Sequence, residues 1–240
     1  MSRIIQNIAY VTQTPHLKFK DLQGMVAAWQ SQLTNDYLPV WGRRTNVIAV
    51  KSKSAIPHGF WPAYVKDDIG EPGAAGYHTD ENNQPVIYVQ WNGMDETSIT
   101  GSHENLETAS DPQGNKLIKV NLPGVGPAMM LCEIGDPCEA LSYKINGFSV
   151  SDFLRPAWYG YDEQDPPGSK LTFLDSIKTP CTLIRDGYFS YLTPDGNWHQ
   201  QTWFSGNSPT TVDLGPDAAR EPDQSLREWI DQLTRKHRAK

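Results

Sequence analysis

Residues 101–107 combine the residue types and the spacing of a metal-binding helix. On a helix His103 and Glu107 lie one turn apart on one face, where both can bind the same ion, and Glu104 lies about 100° around the axis. An HExxH helix presents two zinc ligands and a general base in this way. Zinc accepts carboxylate oxygen as well as imidazole nitrogen. The HExxE pattern therefore predicts His103 and Glu107 as ligands and Glu104 as the general base, although such residues also occur on solvated helices that bind nothing.

Three acidic residues further along the chain are candidates for completing this site. A catalytic zinc site needs a third protein ligand, typically from a second segment, and Glu133 is the preferred candidate. Asp136 either ligates the ion, holds His103 in one tautomer from outside the ligand shell, or is a turn residue ahead of a proline. Asp111 lies near the same helix face as His103 and either reaches the ion, orients a ligand, or satisfies the helix end.

Two blocks of sequence carry a resemblance to a known family. The pattern Ser-His-Glu-x-x-Glu-x-x-x-Asp-Pro at 102–112, followed by Glu-Ile-Gly-Asp-x-Cys at 133–138, resembles a widespread group of zincin-like proteins in bacteria and phages. It is also similar to the plant phosphate-induced, EXORDIUM-type proteins. Two weaker stretches, 28–42 and 76–89, fit the same resemblance, which covers roughly residues 20–140. The resemblance implies a zincin fold and a metal site more than it implies a substrate.

A zincin fold implies an α+β architecture in which a twisted mixed sheet packs on the active-site helix. The edge strand of such a sheet pairs with an extended peptide substrate, and residues 76–89 are expected to supply that edge. Tyr77 and His78 then line the substrate cleft, or His78 lies on a surface loop. The expected partner is accordingly a peptide or protein substrate.

The rest of the chain predicts the elements that position these residues. Runs of apolar and β-branched residues indicate strands. An apolar pattern at i, i+3 and i+4 indicates a helix with Asp21 as its N-cap. A hairpin turn is indicated by Pro194-Asp195-Gly196-Asn197. The predicted strands are 4–11, 45–50, 60–65 and 85–90, the helices are 21–35, 96–110 and 225–236, and 70–84 and 205–222 are a loop and a linker. We expect one domain over 1–240, consisting of a sheet and active-site helix (1–112), an irregular strand-rich half (113–204), and a linker with a C-terminal helix (205–240).

Composition excludes several classes of protein. The chain has 28 acidic against 21 basic residues and a formal charge of -7, so no basic surface is expected to bind nucleic acid. No apolar run approaches the roughly 18 residues of a membrane span. Without a recognisable signal peptide the chain is cytoplasmic by default, with export by another route or a processed secreted form as alternatives. Cys132 and Cys138 either form a disulfide or are buried thiols.

The predicted function is a metal-dependent hydrolase, a peptidase, with Zn²⁺ as the favoured ion. The ligand set His103, Glu107 and Glu133 would neutralise a divalent ion, which weakens its activation of water and leaves Mn²⁺ or Ca²⁺ as alternatives. Glu104 would take the proton from the activated water and pass it to the leaving amine. Tyr143, Tyr159 and His199 are unranked candidates for stabilising the oxyanion.

The alternative is a catalytically weak or inactive zincin-like binding or structural protein. Aromatic residues cluster at two places in its second half, near 158–161 and in the predicted hairpin region, namely Trp158, Tyr159, Tyr161, Tyr188, Phe189, Tyr191, Trp198 and Trp203. Exposed rings of this kind bind carbohydrates or protein partners, whereas buried rings fill a core.

Overall fold

The computed structural model describes residues 5–160, 168–221 and 224–238 and has an α+β fold. The strands in chain order are β1 (Ile5–Thr12), β2 (Arg44–Ala49), β3 (Trp61–Lys66), β4 (Gly76–Glu81), β5 (Gln84–Gln90), β6 (Leu117–Leu122), β7 (Gly126–Leu131), β8 (Ser142–Ile145), β9 (Phe148–Ser151), β10 (Tyr188–Leu192), β11 (Asn197–Thr202) and β12 (Thr210–Pro216). The α-helices are α1 (Phe19–Gln32), α2 (Leu38–Trp41), α3 (Met94–Ser110) and α4 (Leu226–Arg238), and a π-helical turn, Leu33–Tyr37, joins α1 to α2.

The chain divides into two compact units. The first comprises residues 1–112 and 142–151, and the second comprises residues 113–141 and 152–240. That residues 1–240 form a single domain stays a prediction.

The first unit is built on a mixed five-stranded sheet of order β2-β1-β3-β5-β4. Its first four strands run parallel, and β4 pairs antiparallel with β5 at the edge. His78, Ile87, Ala63 and Tyr10 are cross-strand neighbours, so their side chains point to the same face of the sheet. The ring of Tyr10 packs on Trp29 of α1 and its hydroxyl donates to Asn105 of α3, which shows that α1 and α3 cover this face.

The helix α3 is buried along its second half because it has neighbours on several sides. A Cβ added at Gly101 would lie 2.4 Å from the Trp29 indole, so only glycine allows this approach of α1. Ser102 Oγ accepts the backbone N–H of Ser151 in β9 and donates to the carbonyl of Ile99. These contacts fix the rotation of α3 and therefore the direction in which its polar side chains point.

The second unit contains an antiparallel sheet of order β12-β11-β10-β7-β6, against which α4 packs. Its described core contains Leu131, Trp198, Leu214, Leu226, Trp229 and Ile230. The predicted cap of α4 is confirmed, because the backbone N–H of Glu228 donates to Ser225 Oγ. The predicted hairpin is confirmed as β10 and β11.

Three local predictions are wrong. The helix α1 begins at Phe19, after Lys18, and Asp21 lies in its first turn rather than at the N-cap. The run 70–84 is not a loop throughout, because β4 forms within it and pairs with β5 across two left-handed asparagines, Asn82 and Asn83. The run 205–222 is not a linker throughout, because β12 forms within it and pairs with β11.

Two further predictions concern membrane spans and the state of the cysteines. None of the helices described is long and apolar enough to cross a membrane. Cys132, Cys138 and Cys181 are buried and are not joined in a disulfide, so the first two are buried thiols, as one of the two alternatives predicts.

Candidate metal centre

The central pair of the candidate site is His103 and Glu107, which lie one turn apart on α3, as the spacing predicts. The Nε2 atom of His103 is 3.2 Å from Oε1 of Glu107. Glu107 has no exposed surface and His103 is 8% exposed. A carboxylate removed from water in this way is stable only if it is paired, hydrogen-bonded or bound to a metal.

His78 joins this pair from the edge strand β4. Its Nδ1 atom lies 3.3 Å from Oε2 of Glu104 and 3.9 Å from Oε2 of Glu107. The other ring nitrogen, Nε2, lies 3.1 Å from the backbone carbonyl oxygen of Asp111. A carbonyl oxygen can only accept a hydrogen bond. Nε2 of His78 therefore carries a hydrogen and is the donor in its bond to Asp111. His78 therefore lies in the cluster rather than on a surface loop, and its involvement is not contained in the HExxE spacing.

A glycine in β4 allows this close approach to α3. A Cβ added at Gly76 would lie 2.5 Å from Cγ2 of Thr100 and 3.1 Å from Oε1 of Glu104. The first distance is too short for a real contact. The strand can approach the helix only because position 76 has no side chain, and this approach brings His78 to the two glutamates.

Glu104 is buried between β4 and the ring of His78. It is 2% exposed and its two carboxylate oxygens face Gly76 and His78 respectively. Burial is the main cause that raises the pKa of the Tyr10 hydroxyl well above its usual value, and the negative charge of Glu104 raises this pKa further. Tyr10 is therefore a neutral hydrogen-bond donor, and its own hydroxyl donates to Asn105 and to the carbonyl of Gly101.

Asp111 acts through its backbone in this arrangement. It follows the last residue of α3, its N–H donates to the carbonyl of Glu107 at 2.7 Å, and its own carbonyl accepts from His78. That Asp111 reaches an ion or orients a ligand stays a prediction.

Glu133 and Asp136 belong to the second unit. Glu133 lies just after β7, is buried, and forms an ion pair with Arg227 of α4. Asp136 is buried and begins the short 3-10 turn Asp136–Cys138 ahead of Pro137, which agrees with its interpretation as a turn residue. That either residue is a metal ligand stays a prediction.

The remaining candidates have partners of their own. Tyr77 points to the sheet face opposite His78 because neighbouring residues of a strand alternate, and its hydroxyl donates to the carbonyl of Ile69. Tyr143 donates to Asp36, Tyr159 packs edge-on against Trp158, and the ring of His199 stacks on Tyr191. The oxyanion-stabilising residue stays unassigned.

No family model, curated protein or solved structure matched the chain. The resemblance to zincin-like proteins therefore rests on the motif residues alone.

Proposed function

We propose that this protein is a metal-dependent hydrolase of the zincin type, a peptidase, in which His103 and Glu107 bind a divalent ion and Glu104 is the general base. The proposal depends on one observation. Two buried pairs of imidazole and carboxylate lie side by side: His103 Nε2 is 3.2 Å from Glu107 Oε1 and His78 Nδ1 is 3.3 Å from Glu104 Oε2, and 3.9 Å separates His78 Nδ1 from Glu107 Oε2.

The separation of His103 and Glu107 is compatible with two ligands of one ion. Charge-assisted N–H···O⁻ hydrogen bonds are about 2.7–2.9 Å long. Donor atoms around a tetrahedral zinc, each roughly 2.05 Å from the ion, are about 3.3 Å apart. The distance from His103 Nε2 to Glu107 Oε1 is 3.2 Å, which is the spacing of such ligands.

The chemistry of the donor atoms favours zinc among the ions that the sequence leaves open. Zinc commonly combines imidazole with carboxylate ligands. Calcium takes six to eight oxygen ligands, which a cluster containing two imidazoles does not offer. Manganese accepts both donor types and is the second choice.

The residues around the ion have separable roles. When bound, the ion would act as a Lewis acid that polarises water or a carbonyl group of the substrate. Glu104 accepts the proton of the attacking water at a carboxylate oxygen and returns it to the leaving amine. Burial of Glu104 at 2% exposure keeps bulk water from competing for that proton.

The position of the cluster beside β4 supports a peptide as the substrate. In the described part of the chain, β4 ends its sheet and pairs with one strand only. A free strand edge binds an extended peptide through backbone hydrogen bonds. Since His78 belongs to β4 itself and lies beside Glu107, a peptide paired with this edge would lie near the cluster.

Cleavage of a peptide library by the zinc-loaded protein tests this function. Glu104→Gln should keep the ion and lose activity by at least about 100-fold, since general-base catalysis contributes roughly 10² to 10⁴. The matched control is Glu96→Gln, an exposed glutamate at the start of the same helix, which should cleave at the wild-type rate. Equal activity of Glu104→Gln and wild type would contradict the assigned role.

A binding protein without activity is the second candidate, and one observation favours it. Tyr64, Tyr88 and Tyr77 form a row of ring contacts across three strands, on the sheet face opposite His78. In the second half, by contrast, Trp158, Tyr159 and Trp198 are buried and fill core positions. If the protein loaded with zinc or manganese cleaves no peptide, a protein or carbohydrate partner for the tyrosine row becomes the better hypothesis.

A further inference from the structure

The tyrosine row crosses the sheet of the first unit and reaches its edge. The rings of Tyr64 in β3, Tyr88 in β5 and Tyr77 in β4 contact one another in turn, with centroid distances of 5.7 and 5.1 Å. The three residues are cross-strand neighbours, and each is partly exposed. Because β4 is the last strand of this sheet in the described part of the chain, the row ends at Tyr77.

Two lysines lie over the inner rings of the tyrosine row. The ammonium group of Lys66 is 4.6 Å from the ring centroid of Tyr88 and 6.0 Å from that of Tyr64. The ammonium group of Lys53 is 4.5 Å from the ring centroid of Tyr64. Such contacts are favourable cation–π interactions. The inner rings therefore have partners within the unit, and Tyr77 is the ring that an added strand would meet.

Glu81 places a negative charge on the same face of β4, four residues beyond Tyr77. The hydroxyl of Tyr88 donates to Oε1 of Glu81 at 2.6 Å, so the carboxylate lies on the face of the tyrosine row. Glu81 is exposed, and the ion pairs among the described residues do not include it. Opposite charges that face each other across two strands stabilise the pairing. A lysine or arginine on an added strand would therefore be favoured opposite Glu81.

A strand added to β4 meets Tyr77 and Glu81 at two positions that are four residues apart, whichever way the strand runs. A sheet edge binds an extended peptide through main-chain hydrogen bonds, and its alternate side chains give the specificity. Directly opposite residues have Cβ atoms about 4.5–5.5 Å apart. An aromatic residue opposite Tyr77 would thus continue the row of ring contacts, while a basic residue faces Glu81.

We propose that the edge of β4 selects extended peptides in which an aromatic and a basic residue are four positions apart, with Tyr77 and Glu81 as the residues that recognise them. This inference rests on the proposed function, whose substrate lies along the same edge, and it adds the kind of sequence that the edge prefers. It does not depend on which residues bind the ion. The formal charge of -7 on the chain also favours the approach of a basic peptide.

Binding of labelled peptides to the full chain tests this recognition separately from cleavage. Fluorescence anisotropy is measured on Glu104→Gln, which keeps β4 unchanged and should not cleave. The reference peptide is rich in threonine and carries tyrosine and lysine four positions apart. Replacing its tyrosine by alanine, or its lysine by glutamate, should weaken binding by about 2- to 10-fold. Moving the lysine by one position should weaken binding as well, because the lysine then points to the other face.

Variants of β4 in the same Glu104→Gln background identify the contacts. Tyr77→Ala should bind the tyrosine and alanine peptides equally, and Glu81→Gln should lose the preference for lysine over glutamate. The matched controls are Tyr64→Ala, at the inner end of the row, and Glu96→Gln, an exposed glutamate of α3. Both controls should keep the two preferences. Far-ultraviolet circular dichroism checks each fold, and if a β4 variant is unfolded the peptide series on the unchanged strand decides.

Equal binding of the reference and alanine peptides, or a tyrosine preference that persists in folded Tyr77→Ala, overturns the inference. The same holds for the lysine preference and Glu81. A dimer in analytical ultracentrifugation whose paired β4 edges exclude the peptide also overturns it. In each case cleavage of the peptide library by the wild type would leave the proposed function standing. Absence of both binding and cleavage overturns both.

Discussion

The two units each bury glutamates, but they stabilise them with different groups. In the first unit Glu104 and Glu107 face the imidazoles of His78 and His103, and in the second Glu133 faces the guanidinium of Arg227. Arginine is permanently charged and cannot bind a metal. An imidazole is neutral over most of the physiological pH range and offers a lone pair. The first cluster therefore contains groups that can bind an ion, whereas the second contains an ion pair that needs none.

The largest effect should come from breaking the ion pair of the second unit. Arg227→Met leaves Glu133 buried without its partner, and we expect a loss of about 3–5 kcal/mol in the free energy of unfolding. Urea denaturation measures it. The double variant Arg227→Met with Glu133→Gln should recover most of the loss, because no buried charge remains. A change of less than about 1 kcal/mol in the single variant would contradict a structural role for the pair.

The next effect belongs to the cluster of the first unit. Glu107→Gln removes a proposed ligand, and we expect zinc to bind more than about 100-fold more weakly than in the wild type. Isothermal titration calorimetry measures the affinity, with Glu96→Gln as the control. Wild-type affinity in Glu107→Gln would contradict its role as a ligand.

A smaller effect tests the packing that holds β4 against α3. Gly76→Ala places a Cβ 2.5 Å from Thr100, and relief of such a clash costs about 1–3 kcal/mol. The strand must shift, so zinc affinity should fall together with stability. The control is Ala75→Gly at the neighbouring position. Gly196→Ala is not used as a control because Gly196 has a positive φ. Unchanged affinity in a stable Gly76→Ala protein would contradict the requirement for close approach.

The smallest effect concerns a third kind of buried acid. Asp152 accepts hydrogen bonds from Phe153, Leu174 and Ser176, yet burial outweighs them and raises the pKa of its carboxyl. A raised pKa means that ionisation is harder in the folded state, so wild-type stability is lost as pH rises from about 4 through the raised value. Asp152→Asn does not titrate and keeps an oxygen acceptor. The stability of Asp152→Asn relative to the wild type should therefore increase over that pH range. Thermal unfolding at a series of pH values measures the difference. A difference that does not change with pH would contradict the raised pKa of Asp152.

The sequence was sufficient for the elements that depend on local pattern. The HExxE helix is confirmed because His103 and Glu107 need only the helical repeat to meet. The cap at Ser225 and the hairpin around Pro194 likewise depend on residues within a few positions of each other. An α+β fold follows from such elements, whereas the zincin assignment stays a proposal.

The sequence was insufficient where distant segments meet. His78 reaches the cluster because Asn82 and Asn83 adopt left-handed conformations that turn β4 back onto β5. Two consecutive asparagines are a turn signal for a hairpin, and alternation along β4 then places Tyr77 and His78 on opposite faces. The pairing of Arg227 with Glu133 spans most of the second unit, and no local pattern indicates it.

The metal content of the protein tests the central claim most directly. Untagged wild type, loaded with zinc and dialysed free of excess metal, should contain close to one zinc per chain by elemental analysis. Glu104→Gln should contain the same amount, and His103→Ala should contain almost none. Absence of zinc from the wild type, or retention of zinc by His103→Ala, would contradict a metal centre on α3.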